Sequence, residues 1–316
     1  MCYDHNTLFT YQDSNSVIHD RGVSWKYYVQ TLGSIWDAPE ANPQTCYFAP
    51  SGTGQCTSSE FTSHVVLPLV NNYSSAPILD DILGCQLAAV SIVTPDEAWS
   101  DHPGSFDMSL GPSWVADIID AVGNSSCPSG NWGDTAIFVT WDDWGGFYDH
   151  VQPPQLYLGT GYLGNWSCSN FFSNNFGCGY VFGFRVPLLV ISKYTSPNTI
   201  SGSVSYPVQY PPPTQWTHDF GSIQAFIENN FSVQGLGPIT NGAQVNGHQI
   251  SYADQNSLDS VYQGQPVVPL WEFFLGSHSQ FTNISPQNSA YTASYFQNYY
   301  GVNTHPIAPD EGADDE

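Results

Sequence analysis

The stretch Thr135-Ala-Ile-Phe-Val-Thr-Trp-Asp-Asp-Trp-Gly-Gly-Phe-Tyr-Asp-His150 constrains this chain most. Its apolar run, Ala136 to Val139, has the length and composition of a buried strand. The run ends in two adjacent carboxylates, Asp142 and Asp143, then a Gly-Gly pair, then Asp149 and His150. Such a segment suits the carboxyl end of a strand in an α/β sheet, where ligands collect. Adjacent acids there can ligate a divalent cation. The plainer alternative is that one Asp caps a turn and the other is solvated. His150 can bind phosphate, orient an acid or simply brace the turn.

Two further apolar runs have strand length, Leu87–Val93 and Val186–Ser192. Like the strand at 136–140, each is followed by a polar, Gly- or Pro-rich segment. Leu8–Val17 reads as a short helix and Val23–Val29 as a strand. Residues 78–84 read as a helical turn. Ser113–Val122 has apolar residues at helical spacing with Ser113 in the N-cap position, and Phe220–Asn229 reads as a second amphipathic helix. This order predicts an α/β layered domain with a largely parallel sheet.

Two more segments carry candidate chemistry. Asp96, Asp101 and His102 follow the strand at 87–93. An imidazole there can donate to a phosphoryl oxygen or protonate a leaving group; the alternative is a loop histidine beside Pro103. His218 and Asp219 precede the helix at 220. Asp219 suits the first turn, while His218 either faces the site or packs.

Charge excludes some partners. Four Lys and Arg stand against 28 Asp and Glu, a formal net charge of −24. Phosphate-backbone contacts need Lys and Arg, so neither nucleic acid nor an anionic membrane is bound through charge. No apolar run nears the roughly 20 residues of a transmembrane helix. The sequence has no G-x-G-x-x-G after the early strand, no Walker A segment, no H-E-x-x-H and no G-x-S-x-G.

Seven cysteines suit an oxidising compartment. Cys46–Cys56 and Cys168–Cys178 each close a short loop and are expected to be disulfides. Cys2, Cys85 and Cys127 remain, an odd set. Sequons begin at Asn72, Asn124, Asn165, Asn230 and Asn283. An extracellular or periplasmic protein fits this composition, although Met1-Cys-Tyr-Asp-His-Asn6 does not read as a signal peptide.

The segment Thr140-Trp-Asp-Asp-Trp-Gly-Gly-Phe-Tyr-Asp-His-Val151 closely resembles the signature of a phosphoesterase family. That family contains bacterial phospholipases C, plant non-specific phospholipases C and certain acid phosphatases. Collinear similarity includes Gly22–Tyr28, Gly33–Trp36, Val93-Thr-Pro95, Ser100–Gly104, Gly111–Val115, Gly183–Leu188 and Phe220–Ile223. It spans residues 1–260, leaving 261–316 as a loop-rich extension with an acidic tail.

The resemblance implies an alkaline-phosphatase-like layered α/β fold and metal-assisted cleavage of phosphate mono- or diesters, including phospholipids, by a Ser or Thr nucleophile. It places Asp142 and Asp143 at a divalent metal and His102 at the phosphate. A second histidine, His150 or His218, would assist at the leaving oxygen or the substrate. The family's first strand bears a Glu-Asn-Arg-Ser-Phe-Asp-like motif that adds metal contacts, with the nucleophile downstream. Neither has a counterpart in these 316 residues. The expectation is therefore an N-terminally truncated member. Two readings compete with it: a non-catalytic metal- or phosphate-binding relic, and an extracellular structural protein that assembles with copies of itself.

Overall fold

The computed structural model describes residues 10–12, 18–20, 22–29, 37–41, 45–46, 56–66, 77–95, 100, 102–103, 110–150, 183–197, 200, 218, 220–232, 244–245, 248–249, 270–274, 276 and 279–284. In chain order the elements are β1 (Thr10–Gln12), β2 (Ile18–Asp20), β3 (Trp25–Tyr28), α1 (Ala38–Ala41), α2 (Ser59–His64), β4 (Val65–Val66), α3 (Pro77–Leu83) and β5 (Val90–Val93). They continue with α4 (Leu110–Asn124), β6 (Ala136–Thr140), β7 (Leu188–Ser192), α5 (Phe220–Asn230), β8 (Gln244–Val245), β9 (His248–Gln249) and a 3₁₀ turn, Trp271–Phe274.

The centre is a three-stranded parallel sheet in the order β4-β3-β5. Alternation along β3 sends its side chains to two layers. Tyr28 packs with Ile78, Leu79 and Ile82 of α3 and with Trp114 and Val122 of α4. Val23, Trp25, Tyr27 and Val29 pack with Val90, and Ile227 of α5 and Phe231 lie against them. β6 repeats the arrangement. Ile137 packs on the α3–α4 cluster, while Phe138 meets Phe226 of α5 at 5.3 Å and Phe274 at 6.2 Å between ring centroids.

The fold is thus mixed α/β with a parallel sheet. The expectation of a largely parallel arrangement needs one correction. β6 and β7 pair antiparallel, with Ala136 opposite Ser192 and Thr140 opposite Leu188. An apolar run reports burial and carries no record of strand direction. The intervening 47 residues, 141–187, are long enough to return the chain either way.

Two local expectations also change. Of the helix expected at 8–17, the described residues Thr10–Gln12 form a strand instead, and β1 pairs antiparallel with β2, Thr10 opposite Asp20. The sequence Asp13-Ser-Asn-Ser16 is turn chemistry that competes with a helix. In α4, Ser113 lies inside the first turn and is not the N-cap, because the helix begins at Leu110. Pro112 is tolerated there because first-turn N–H groups have no intrahelical partner.

Helix α3 is tied to β3 by Asp81. Its Oδ2 accepts from Lys26 Nζ at 2.6 Å and from Tyr28 Oη at 2.5 Å. At the end of α3, Gly84 N donates to Asp80 O and Cys85 adopts φ 58°, a left-handed helix stop. That stop aims Cys85 at Cys127 in a disulfide with a Cα separation of 5.4 Å. Cys46–Cys56 is bridged as expected, with a Cα separation of 5.3 Å. Cys85–Cys127 takes two of the three cysteines left over from the spacing argument; Cys2, Cys168 and Cys178 lie outside the described residues.

Part of the segment beyond residue 260 lies against this core. Leu270 is fully buried. Ser279 O accepts from Trp132 Nε1 at 3.0 Å, and Ile284 N donates to Asp120 Oδ1 at 2.7 Å.

Candidate active site

Past Thr140 the chain leaves β6 and turns sharply. Gly145 and Gly146 have φ of 60° and 71°, which side chains of L-residues disfavour. Phe147 N donates to Trp144 O at 3.0 Å, closing the turn. Asp143 Oδ1 accepts from Gly145 N at 2.5 Å, so Asp143 caps its own loop. Its second oxygen is not committed to that bond. Asp142 and Asp143 are both exposed.

The His102 segment reaches this turn. A Cβ placed on Gly145 would lie 2.8 Å from Pro103 Cγ, so Pro103 is seated directly on the glycine. His102 is exposed, and its backbone N donates to Ser100 Oγ at 3.1 Å. The loops that follow β5 and β6 therefore meet, with His102 adjoining the contact on one side and the Asp142–Asp143 pair preceding it on the other. This contact makes a specific prediction. Gly145→Ala must accommodate both a left-handed backbone and a rigid proline ring, and should destabilise the protein by roughly 2 kcal/mol or more. Gly146→Ala meets nothing within 4 Å, and should lose only about 1 kcal/mol. Urea unfolding of both variants checks the contact; equal losses would refute it.

The floor of this region comes from residues that sequence reasoning left without a role. Tyr27, near the carboxyl end of β3, accepts at Oη from Thr94 Oγ1 at 3.1 Å, just past β5. Burial pushes the Tyr27 phenol up. Hydrogen bonds from Thr94 and from the Ala38 backbone oppose that, and the charges of Asp37 and Asp142 add to it. Asp142 thus lies within electrostatic reach of the Tyr27 hydroxyl, and the carboxyl ends of β3, β5 and β6 face a common region. Asp37 is buried at 2% exposure. Its Oδ1 accepts from Glu40 N at 3.3 Å as the cap of α1, while its Oδ2 has no hydrogen-bond partner. Burial raises this carboxyl to about 6, against the Glu40 N–H and aided by the Glu40 charge. The pattern Asp37-Ala-Pro-Glu40 is a legible N-cap signature. Nothing in it announces that the cap lies beside Tyr27.

Asp149 and His150 are engaged differently from Asp142. Asp149 accepts a two-pronged bond from Arg185, Nε to Oδ2 at 2.5 Å and Nη2 to Oδ1 at 3.0 Å. That bond holds the Arg185 guanidinium above its ordinary value. His150 Nδ1 is 3.3 Å from Asp149 Oδ1. The β6 loop is thereby tied to the entry of β7, with Gly183 lying directly under the Trp144 ring. His218 packs on Phe273 at 5.8 Å between ring centroids. Asp96, Asp101 and Asp219 lie outside the described residues.

The donor set bears on a metal. Asp142 and Asp143 offer hard oxygen ligands suited to a divalent cation. Among the described residues no group of three or more His, Cys, Asp or Glu is placed to hold an ion. The residues therefore fit part of a coordination shell.

Comparison with known proteins bears on the family. The model of the phosphoesterase family matches residues 4–234. Phospholipase C B of Mycobacterium tuberculosis is 30% identical over 185 residues, covering 56% of this chain and 33% of that protein. Non-hemolytic phospholipase C of Burkholderia pseudomallei is 27% identical over 246 residues, covering 68% of this chain and 31% of that protein. Non-specific phospholipase C4 of Arabidopsis thaliana is 32% identical over 136 residues, covering 42% and 22% respectively. The chain spans about a third or less of the length of these relatives. A match across residues 4–234 of 316 is extensive enough to establish that the chain belongs to the phosphoesterase family.

Proposed function

We propose that this chain serves in metal-assisted hydrolysis of phosphate esters, of phospholipase C or acid phosphatase type. The observation that carries the reading is the seating of Pro103 on Gly145, which brings the His102 loop to the Asp142–Asp143 turn in a member of the phosphoesterase family. Asp142 and Asp143 would hold part of a divalent ion's shell. The bound ion would supply Lewis-acid polarisation of a phosphoryl oxygen. His102 donates a proton or hydrogen bond to a phosphoryl or leaving oxygen. Asp149 orients His150 beside the same loop, and His218 is the lesser candidate for a substrate contact. Similarity to phospholipases C favours a phospholipid ester over a small monoester. The two disulfides favour an extracellular or periplasmic setting.

Two acids cannot complete a shell of about six oxygens, and the 316 residues contain no counterpart of the family's Glu-Asn-Arg-Ser-Phe-Asp-like segment. The proposal therefore assigns these residues metal and phosphate contacts and assigns none of them the attacking hydroxyl. The absence of a three-ligand group among the described residues also favours a second reading, binding without turnover. Both are tested by one experiment. The 316-residue chain should hydrolyse p-nitrophenyl phosphate and phosphocholine esters near background, while a chain extended with the family's Glu-Asn-Arg-Ser-Phe-Asp-like segment is active and loses its activity to a chelator. A chelator-resistant longer chain would refute the metal, and an inactive one would favour the relic.

A further inference from the structure

The turn that carries the candidate site also carries an unusual amount of exposed aromatic surface. Trp144, Phe147 and Tyr148 are 42%, 65% and 82% exposed. Phe184 meets Trp144 and Tyr148 edge to face, with ring centroids 6.3 Å and 5.4 Å apart. The rings are presented on a braced frame. Gly145 and Gly146 set the turn, Trp144 lies over Gly183, and Asp149 is bonded to Arg185. Contiguous exposed apolar surface on a protein marks an interaction site. Rings already held in place lose little conformational freedom on burial.

We propose that Trp144, Phe147 and Tyr148 form a docking surface for a zwitterionic lipid bilayer. The inference rests on the phospholipid reading above and adds the surface that meets the lipid. Three observations select this occupant. Trp and Tyr combine an apolar body with a polar handle and settle at the headgroup level of membranes. The net charge of −24 opposes an anionic surface. A second copy is disfavoured because pairing would bring the exposed Asp142 and Asp143 of one strongly acidic chain toward those of another. Docking through these rings also makes geometric sense for the chemistry. Trp144 immediately follows Asp142 and Asp143, so its insertion sets the carboxylates at the depth of the lipid phosphates.

The test is sedimentation of the full 316-residue chain with phosphatidylcholine vesicles, in chelator so that binding does not require the acidic pair to hold metal. The wild type should partition onto these vesicles, and replacing a third of the lipid with phosphatidylserine should weaken the partition. Phe147→Ser and Tyr148→Ser should each weaken it by about tenfold, and the double variant more. Tyr148 is 82% exposed, so Tyr148→Ser decides the matter even where Phe147→Ser impairs folding, as thermal melting would show. Absence of vesicle binding by the wild type, equal binding by the variants, or tighter binding to the anionic vesicles would overturn the proposal. So would gel filtration in which the wild type is dimeric and the variants monomeric, since the rings would then belong to a copy interface. Vesicle binding by a chain that hydrolyses no phosphate ester, even at the longer length, supports the docking surface while counting against the hydrolytic reading.

Discussion

Asp142→Asn, placed in a longer chain active on phosphate esters, should reduce turnover by at least about 100-fold. Losses of 10- to 100-fold accompany removal of mere outer-shell partners of metal ligands, and Asp142 is proposed as a ligand itself. It is exposed just past the end of β6. Asn keeps the size and one oxygen but loses the negative charge, so metal affinity should fall with turnover in a direct titration. Asp143→Asn isolates the other acid. Asn can still accept from Gly145 N, the bond Asp143 Oδ1 makes now, so the turn should persist and the loss should be of metal affinity alone. Asp143→Ala should add a loss of stability of about 1 kcal/mol from the missing cap. Unchanged metal affinity in both Asn variants would remove the carboxylate pair from the proposed mechanism. Robust turnover by the 316-residue chain, lost on Asp142→Asn, would show that the nucleophile lies within these residues.

The second large effect is structural. Cys85 and Cys127 are 42 residues apart, and loop-closure entropy assigns a cross-link of that span about 4 kcal/mol of stabilisation. The bridge joins the left-handed end of α3 to the segment after α4, the two helices that cover one face of the sheet. A Cys85→Ser, Cys127→Ser variant should melt roughly 6 °C below the wild type by calorimetry. Cys46–Cys56 spans only 10 residues, and its double serine variant should lose about 3 kcal/mol. A smaller loss from the long bridge than from the short one would mean that the unfolded chain is not what the cross-link restrains. Serine preserves the left-handed backbone strain at residue 85, so the comparison isolates the bond.

Legibility in the sequence followed the range of the interaction. The strands β5, β6 and β7 could be placed because each lies in a continuous apolar run of strand length, and α4 because its apolar residues repeat at helical spacing. The Asp142–Asp143 turn was visible for the same local reason, with an apolar run ending on acids and paired glycines. The short disulfide could be read because Cys46 and Cys56 bound a single loop. Leu8–Val17 reads as a helix, yet Thr10–Gln12 pairs as a strand with Ile18–Asp20.

Tertiary structure alone decided the rest. Strand direction depends on how the chain returns, so the antiparallel pairing of β6 with β7 leaves no mark on either run. Cys85 finds Cys127 because α3 and α4 pack on one face of the sheet, a contact between segments far apart in sequence. Asp149 belonged to the same sequence set as Asp142, Asp143 and His150, and only folding showed it paired with Arg185. Tyr27, Asp37 and Thr94 gather because three strand ends meet there, and a hydroxyl or carboxylate acquires that role only from what folding places beside it. The sequence by itself determined which side chains stand at the ends of the strands, since burial patterns are local; tertiary packing decided which of them face one another, since proximity across the sheet is set by the path of the whole chain.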